Sequence, residues 1–423
     1  KMKDRIISVD VLRGLTVLLM TVVNNPGSWD YVYPILDHAK WNGCTLADLV
    51  FPFFILVVGI AIPLAMPIKQ DKPENILKII TRSLRIICLG FFLYFFNSIY
   101  FLGLDGFPLL LVRLILTFLV GYALIGNFNL RIKTILAVGL FIIFLALAYG
   151  GHENFSDVRL PGVLQRIGVV YLLVSLVYLK TNVKTQIILS ALILLGYWAI
   201  MTLVPVPGIG PANLEPGTNL ASWLDSILLK DHMYIATKTW DPEGILSTVP
   251  TIANGLIGLL IGQLLLKPIP KTEIAKKMGI LSVALIISGL LWALFFPINK
   301  ALWSSSYVLF TAGIGLFLLT LVYYVVDILN HKKWTTFLLS WGVNPMIVFF
   351  VSGILPRALA MIKIQNPQNI SETINVRDYA YQYWISPLFE NQLLSSLTYS
   401  VLYVLLWSCV LGYFYKKRLI FKV

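Results

Sequence analysis

The sequence predicts an all-α, polytopic membrane protein with about twelve transmembrane helices and both termini in the cytoplasm. Of its 423 residues, 58% are hydrophobic and 13% are charged, whereas soluble domains average about 25% charged residues. The mean hydropathy is +0.82. The apolar stretches run for roughly the 20 residues that cross a bilayer as helix, without the alternation of barrel strands. We therefore expect a single transmembrane domain over residues 1–423.

Twelve apolar segments are predicted as spans. Their approximate bounds are 6–23, 46–67, 84–100, 109–126, 132–149, 163–180, 185–203, 248–266, 278–296, 305–326, 335–357 and 394–415. The first span follows the basic sequence KMKDR, and no clear A-x-A site lies behind it. We expect it to remain as an uncleaved anchor.

The basic residues orient these spans. If the N-terminus is cytoplasmic, the segments on that side hold 22 of the 33 Lys and Arg residues, although most of these segments are short. The opposite loops, including the two longest, hold seven. The positive-inside rule therefore predicts cytoplasmic termini. The net charge of +13 then reflects this topology and contact with anionic membrane lipids, and it does not indicate a nucleic-acid partner.

Two long loops, 204–247 and 358–393, fall outside the cytoplasm on this topology. Long loops in compact proteins are usually functional or disordered, so we expect lids or substrate walls. No internal repeat relates the two halves, which weakens a transporter interpretation. The three scattered cysteines predict neither a disulfide framework nor a zinc site, and the common nucleotide, zinc and serine-hydrolase motifs are absent.

Polar side chains collect at the outer ends of the predicted spans. Ionisable residues are costly within a bilayer, so they face the protein interior or a wet cavity. All but Asn344, which lies within the eleventh span, belong to the outer third of the membrane or its surface, and one shared site explains them. They are Asn24, Asn25, His38, Asn42, Asp48, Arg159, Gln165, Arg166, Asp241, Glu243, Asn299, Lys300, Ser304 to Ser306 and Asn344.

Each candidate also has a structural interpretation. His38 would be a satisfied interfacial side chain, and Asp48 a helix cap or a partner for Lys40. Asn42 would be a turn residue, and Arg166 would pair with a carboxylate to hold helices together. Asp241 would cap a helix that begins at DPEG. The tryptophans, Trp41 among them, would form an interfacial belt.

Six blocks, in order, resemble the heparan-alpha-glucosaminide N-acetyltransferase family and its bacterial, NagX-like members. They are SVDVLRGLTVLLMTVVNN, HAKWNGCTLADLVFPFF, RLPGVLQRIGVVY, WDPEGILSTVP, PINKALWSSSYVL and VNPMIVF. The resemblance covers most of the chain from about residue 5 to the C-terminus. Compared with the family pattern, we expect no counterpart of the N-terminal lumenal domain of the animal enzyme and an extra hairpin of two spans, about 109–149.

The resemblance implies transfer of acetyl from acetyl-CoA to the amine of a terminal glucosamine across a membrane, here the bacterial inner membrane. It implies that His38, in HAKWNG, is the catalytic histidine and that Asn24 is the active-site asparagine. Arg159, which opens RLPGVLQR, matches an arginine on which the animal enzyme depends.

The chemistry suggests roles for the other residues. An imidazole can take the amine proton near neutral pH, with Asp48 or Asp37 to orient it. Asn24 and Asn42 offer donors for the oxyanion. The sugar would contact Asp241, Glu243 and Arg159, with Asn42 beside it and Trp41 as platform. Arg13, Arg166 and Lys300 would compensate the anionic groups of acetyl-CoA, with Gln165, Ser304 and Asn344 completing that site. No metal is expected.

Other functions stay open from the sequence. One is a sugar transporter with its site near the membrane midplane. Another is an O-acyltransferase of a cell-envelope glycan. Within the acetyltransferase hypothesis, His38 acts either as a base for direct attack, which we favour, or as an acetylated intermediate. A homodimer is also compatible with the sequence.

Overall fold

The computed structural model describes residues 6–421, and within them the chain is mostly helical. The basic residues of the predicted cytoplasmic ends at 1–5 and 422–423 lie outside this range. The helices are α1 (Ile7–Val23), α2 (Leu46–Ala65), α3 (Pro73–Ser98), α4 (Gly106–Ile125), α5 (Leu130–Tyr149), α6 (Val163–Lys180), α7 (Val183–Leu203), α8 (Leu220–Leu228), α9 (Ile245–Leu265), α10 (Lys271–Trp292), α11 (Ser305–Tyr323), α12 (Thr335–Val343), α13 (Pro345–Met361), α14 (Val376–Tyr379) and α15 (Gln392–Lys416).

A helix occupies each of the twelve predicted spans, but not all of these helices have the length and composition of a membrane span. Within residues 6–421, nine helices are long and apolar enough to cross a bilayer, and the bent pair α12 and α13 makes a tenth if counted as one span. Helix α1 has 17 residues, and α3 includes the polar sequence PENILKIITRSLR. A multi-pass helical membrane architecture follows from these helices.

Helices α2 and α9 form the centre of the bundle. Their apolar stretches are 78% and 67% buried, whereas those of the α4–α5 hairpin are 22% and 17% buried. Glycine permits the close contact between the two central helices, since a Cβ atom on Gly59 would lie 2.1 Å from the carbonyl oxygen of Gly255. Small residues at such crossings let membrane helices pack closely. The α4–α5 hairpin packs at the edge, mainly against α3.

The eleventh predicted span is broken in the structure. Helices α12 and α13 meet at an angle of 75° around Asn344 and Pro345. The residue before a proline is sterically disfavoured from helical geometry, and Asn344 has φ −123° and ψ 46°. The prediction of one continuous helix over 335–357 was therefore wrong at this position.

Some predicted loops are more ordered than the sequence indicates. Helices α3 and α10 begin at residues 73 and 271, well before the apolar runs at 84 and 278, because charged turns extend them. In α3, for example, Glu74 and Lys78 form an i, i+4 ion pair. The loop 204–247 contains α8, and the loop 358–393 contains an antiparallel hairpin of β1 (Lys363–Asn366) and β2 (Asn369–Asn375).

Candidate active site

A cavity of about 360 Å³ opens where several helix ends meet. Helix α1 ends there, α2 and α6 begin there, and the segments before α9 and α11 reach it. Its polar and aromatic wall consists of Asn24, Trp29, His38, Arg159, Tyr234, Glu243 and Lys300. The apolar wall consists of Met20, Val23, Ala47, Val50, Phe51, Phe54, Val163, Ile167, Pro242 and Phe349. Five predicted site residues, distant in sequence, thus share one cavity.

The His38 ring is held by Asp48. Nδ1 of His38 lies 2.8 Å from Oδ1 of Asp48, whose side chain is 1% exposed. Asp37 instead accepts a hydrogen bond from the backbone N–H of His38, also at 2.8 Å. Of the two candidate acids, Asp48 is therefore the one whose carboxylate bonds the ring. Because an Nδ1–H donated to Asp48 leaves Nε2 as the acceptor, the pair has the arrangement of a general base and its orienting acid.

Asp48 also anchors the start of α2. Its Oδ2 accepts the backbone N–H groups of Thr45 at 3.0 Å and Ala39 at 3.1 Å. A carboxylate in the first turn is further favoured by the positive end of the helix dipole. The cap interpretation of Asp48 is thus correct, and so is its contact with His38. Its cationic neighbour is Lys300, at 3.5 Å.

Lys300 lies beside the histidine. Its Nζ is 3.0 Å from Nδ1 and 3.2 Å from Nε2 of His38. Burial lowers the pKa of the Lys300 ammonium, and the charge of Asp48 partly offsets this effect. The sequence pointed to Lys300 as a ligand for the anionic groups of acetyl-CoA. The structure places its ammonium next to the imidazole of His38.

Arg159 forms the opposite wall with two carboxylates. Its guanidinium binds Asp241 through two hydrogen bonds of 2.8 Å and 2.5 Å, and it also donates to Glu243. Burial opposes the charge on Arg159, but Glu243 and Asp241 outweigh it and raise its pKa. Burial likewise opposes the charge on Glu243, and the positive charge of Arg159 holds its pKa below the usual value. Arg159 and Glu243 therefore remain ionised.

Within this cluster, Asp241 is not in contact with the cavity. Its side chain is fully buried, whereas Glu243 reaches the cavity wall. Asp241 does not cap α9 either. The carboxylate of Asp225, in α8, accepts the N–H of Ile245 at 2.9 Å and that of Asp241 at 3.3 Å. Burial raises the pKa of Asp225 to about 6. Both predictions for Asp241, as a sugar ligand and as the cap of α9, are therefore corrected. Its carboxylate instead holds the guanidinium of Arg159 in position.

Gln165 and Arg166 lie on faces of α6 away from the cavity, whose lining on this helix is Val163 and Ile167. Arg166 is buried, its guanidinium lies 5.2 Å from the ring centre of Trp303, and it donates to the carbonyl of Gly244 at 3.1 Å. The amide of Gln165 is buried near Gly90, and neither of its polar atoms has a hydrogen-bond partner within residues 6–421. The expected pairing of Arg166 with a carboxylate is replaced by a cation–π contact and a carbonyl.

Three further predicted cofactor residues are not brought to the cavity. Ser304 bonds the backbone of Pro297 and Asn299 at 2.7 Å and 3.1 Å. Asn344 bonds the backbone of Leu419 and Phe421 at 3.0 Å and 2.9 Å, which ties the helix break to the C-terminal segment. Arg13 pairs with Asp10 at 2.8 Å, in the half of α1 remote from Asn24. These side chains bond other groups of the protein. A sequence pattern cannot distinguish such structural residues from ligand-binding ones.

Trp41, the predicted sugar platform, does not line the cavity, whereas another tryptophan does. Trp41 donates to the carbonyl of Leu214 at 3.0 Å and packs edge-on against Trp240, outside the cavity lining. Asn42 accepts from Asn299 at 3.2 Å behind the histidine segment. Trp29 instead lines the cavity and is 60% exposed. Nothing in the sequence distinguishes Trp29 from the other tryptophans, because its place in the cavity lining is set by the fold.

Of the two long loops, 204–247 contributes to the cavity through Tyr234, Pro242 and Glu243. The ring of Tyr234 lies 4.7 Å from the guanidinium of Arg159, and the sequence analysis did not single it out. The loop 358–393 instead supports the chain after α1, where Arg377 donates to the carbonyl of Pro26 at 3.0 Å. Within residues 6–421, no group of three His, Cys, Asp or Glu residues could hold a metal ion.

Comparisons with known proteins agree with the sequence blocks. Residues 5–205 match the model of a family described as a domain of unknown function, DUF5009. The chain is 30% identical over 400 residues to heparan-alpha-glucosaminide N-acetyltransferase of Homo sapiens, and 28% identical to the Mus musculus protein of the same name. This chain is a relative of the heparan-alpha-glucosaminide N-acetyltransferases. Each alignment covers 82% of the chain but only 52% or 53% of the relative, so the chain spans about half the length of the curated relatives it matches.

Six sequence blocks predicted a resemblance to these N-acetyltransferases, and the comparisons confirm it. The DUF5009 segment includes Asn24, His38, Asp48 and Arg159, whereas Glu243 and Lys300 lie beyond residue 205. The cavity therefore draws its lining from both sides of that boundary.

Proposed function

We propose that this chain is a membrane-embedded acyltransferase that moves acetyl from acetyl-CoA to the amine of a glucosamine-type sugar. The observation that carries the proposal is the His38–Asp48 pair, which opens into the same cavity as Asn24, Arg159 and Glu243. The names of the human and mouse relatives state an N-acetyl transfer to a heparan glucosaminide. The cavity supplies the groups that this chemistry needs.

The proposed reaction couples attack to proton transfer. The neutral amine of the sugar attacks the thioester carbonyl directly, and Nε2 of His38 takes a proton from the amine nitrogen as the new bond forms. Nδ1–H stays bonded to Asp48 throughout, so that the imidazolium is stabilised as it forms. The exposed amide of Asn24, at the end of α1, can donate to the oxyanion, an interaction worth about 3 kcal/mol in other acyl-transfer sites.

The opposite wall is suited to a sugar. Glu243 and Arg159 present a carboxylate and a guanidinium to hydroxyl groups, and Asp241 holds the guanidinium in place from behind. Trp29 offers an exposed indole face, on which the apolar face of a pyranose ring can stack. The backbone of the neighbouring Ser28 is tied to Ser396 by hydrogen bonds of 3.1 Å and 3.0 Å, which steadies this platform.

We further propose the orientation in the membrane. Helices α1 and α3, added to the nine long apolar helices of residues 6–421 and the bent pair α12 and α13, give twelve spans. Both termini then face the cytoplasm. The cavity faces the outer side of a bacterial inner membrane. The excess of basic residues in the alternate segments supports this orientation. The cavity wall reaches inward through Phe51 and Phe54 of α2, which offers a path for a donor made in the cytoplasm.

The test of the function uses purified protein in lipid vesicles, radiolabelled acetyl-CoA and glucosamine. His38→Ala should lower kcat by roughly 10²-fold or more, because the base is lost. His331→Ala, which changes an exposed histidine outside the cavity, should match the wild type. A His38→Ala protein that inserts normally and acetylates glucosamine at the wild-type rate would overturn the proposal.

Two further measurements separate the remaining chemistry. Incubation with labelled acetyl-CoA and no acceptor should leave the protein unlabelled if attack is direct, and stoichiometric label on His38 would show an acetyl-histidine intermediate. Mass spectrometry of products from a panel of amino and neutral sugars distinguishes N-acetylation from O-acylation of a glycan. Counterflow of sugar without acetyl-CoA would instead indicate a transporter.

A further inference from the structure

We propose that Lys300 is the acid that gives a proton to the departing thiolate of the acyl donor, and that His38 returns the proton to it. This inference rests on the proposed acetyl transfer. It assigns to Lys300 a role in the chemical step in place of the cofactor contact that its charge suggests.

The position of the ammonium carries the argument. Nζ of Lys300 lies within 3.2 Å of both nitrogens of the His38 ring and 3.5 Å from Oδ1 of Asp48, and the side chain lines the cavity. Any thioester within reach of an amine that His38 deprotonates must lie close to this ammonium. The leaving sulfur and the attacking nitrogen can therefore be served by adjacent groups.

The turn that carries Lys300, residues 297–304, is built to hold it still. Asn299 is fully buried and accepts the N–H of Leu302 at 2.9 Å, while the N–H of Trp303 donates to the carbonyl of Lys300 itself at 3.1 Å. Trp303 adopts a φ of +52°, a left-handed conformation that non-glycine residues rarely take and that clusters at functional sites. Preorganisation of this kind is what a proton donor needs.

This turn is also joined to the histidine segment. The backbone N–H of Gly43 donates to the carbonyl of Ile298 at 2.8 Å, and the side chains of Asn42 and Asn299 meet at 3.2 Å. The distance between the imidazole and the ammonium is thus fixed by two direct contacts between their segments, and it does not depend on the lysine side chain alone.

The proton cycle balances without a further reactant. The amine nitrogen forms a bond to the acetyl carbon, the carbon–sulfur bond breaks, and its electron pair goes to sulfur. The sulfur takes a proton from Nζ of Lys300, and the amine proton goes to Nε2 of His38. The imidazolium then passes that proton to the neutral Nζ, 3.2 Å away, which restores both groups.

The charged surroundings favour such exchange. Asp48, Glu243, the imidazole of His38 and the thiol of Cys44 surround the Lys300 ammonium. Burial raises the pKa of Cys44 to about 12, so this thiol stays neutral. Burial is also the largest influence on Lys300, and it lowers the pKa of the ammonium toward values at which proton donation is easier.

The first test compares donors with different leaving groups. Lys300→Arg keeps a positive charge beside Asp48 but cannot donate a proton near neutral pH. With acetyl-CoA its kcat should fall roughly 10²-fold, the usual scale of acid catalysis. With the acetyl thioester of 5-thio-2-nitrobenzoate, whose aryl thiolate leaves without a proton, the loss should be under about fivefold on the same scale. Equal losses with both donors, or no loss with either, would overturn the proposal.

The second test needs acetyl-CoA alone. In the wild type, kcat should decline on the alkaline side at a pH below 10.4, the ordinary pKa of lysine, as Lys300 loses its proton. Lys300→Arg should lack this decline, and the same decline in both proteins would contradict the assignment. Lys40→Met, an exposed lysine near His38 in sequence but outside the cavity, is the matched control and should retain wild-type kcat. Failure of the proposed function itself would appear separately, as full activity in His38→Ala.

Discussion

The carboxylate of Asp48 lies 2.8 Å from the ring of His38, with its second oxygen on the backbone at the start of α2. Asp48→Asn should lower kcat by about 10²- to 10⁴-fold, because the amide no longer selects the tautomer in which Nε2 carries no proton and can act as the base. Asp37→Asn is the matched control, since the carboxylate of Asp37 bonds the backbone N–H of His38, and the other hydrogen bonds of Asp37 within residues 6–421, to Thr45 and Tyr33, are made by its backbone. Similar losses in both variants would show that the ring is oriented in another way. Steady-state kinetics in vesicles measures both.

Arg159 has a fork of donors that lysine cannot replace. Arg159→Lys should leave the buried Asp241 partly unpaired and lower the free energy of unfolding by about 3 kcal/mol, as breaking a buried ion pair does. Thermal unfolding of the purified protein in detergent would show this loss. Arg131→Lys, at an exposed position of α5, provides the comparison and should unfold as the wild type does. Equal unfolding of all three proteins would mean that the cluster carries little stability.

Trp29 is expected to act on sugar binding. Trp29→Ala should raise KM for the sugar roughly two- to tenfold, the equivalent of an aromatic contact worth about 0.5–1.5 kcal/mol, with little change in KM for acetyl-CoA. Trp384→Ala removes a tryptophan that is 66% exposed and outside the cavity lining, so its KM should not change. An effect of the same size in both variants would indicate a general role at the membrane interface.

Two glycines should respond to alanine in opposite ways. A Cβ atom on Gly14 would lie 1.9 Å from the carbonyl oxygen of Leu338, where α1 crosses α12. One on Gly139 in α5 would meet nothing within 4 Å in residues 6–421, apart from its chain neighbours and the helix's own backbone. Gly14→Ala should therefore destabilise by about 1–3 kcal/mol or more. Gly139→Ala should stabilise by about 0.4–1 kcal/mol through the unfolded chain. Thermal unfolding compares them, and a stable Gly14→Ala protein would contradict the close crossing.

Asp225 should make stability depend on pH. Its pKa is about 6 in the folded protein, above the ordinary value of 3.8, because it is buried. The unfolded chain therefore releases this proton first as pH rises, and the contribution to stability falls between about pH 4 and pH 6, by at most roughly 3 kcal/mol. Asp225→Asn should lack this part of the pH dependence. Unfolding temperatures of both proteins from pH 4 to pH 7 test it, and parallel curves would contradict it.

The helices could be predicted because the bilayer imposes a strong pattern. A helix lies at every segment that the apolar runs indicate, and the basic turns of α3 and α10 shifted only their starts. The break at Asn344 was missed although Pro345 is visible in the sequence, because prolines inside α2 and α9 leave those helices continuous. Which prolines break a helix depends on the packing around each one.

The site could be predicted only in part, for a related reason. Polar residues at helix ends pointed to Asn24, His38, Arg159, Glu243 and Lys300, and these share the cavity. The same pattern includes Ser304 and Asn344, whose side chains are consumed by backbone groups far away in sequence. Asp225 was not selected because its partner N–H groups lie 16 and 20 residues away, beyond any capping motif.

The two short contacts between residues 42–43 and 298–299 have a consequence for how the gene can be divided. The stretch that the DUF5009 description covers would, as an isolated fragment, carry the imidazole and the arginine but neither the ammonium beside the one nor the carboxylates around the other. Split-protein complementation should accordingly restore turnover only when the second piece supplies residues 225–304. The candidate site needs residues from both pieces, and neither piece contains all of them.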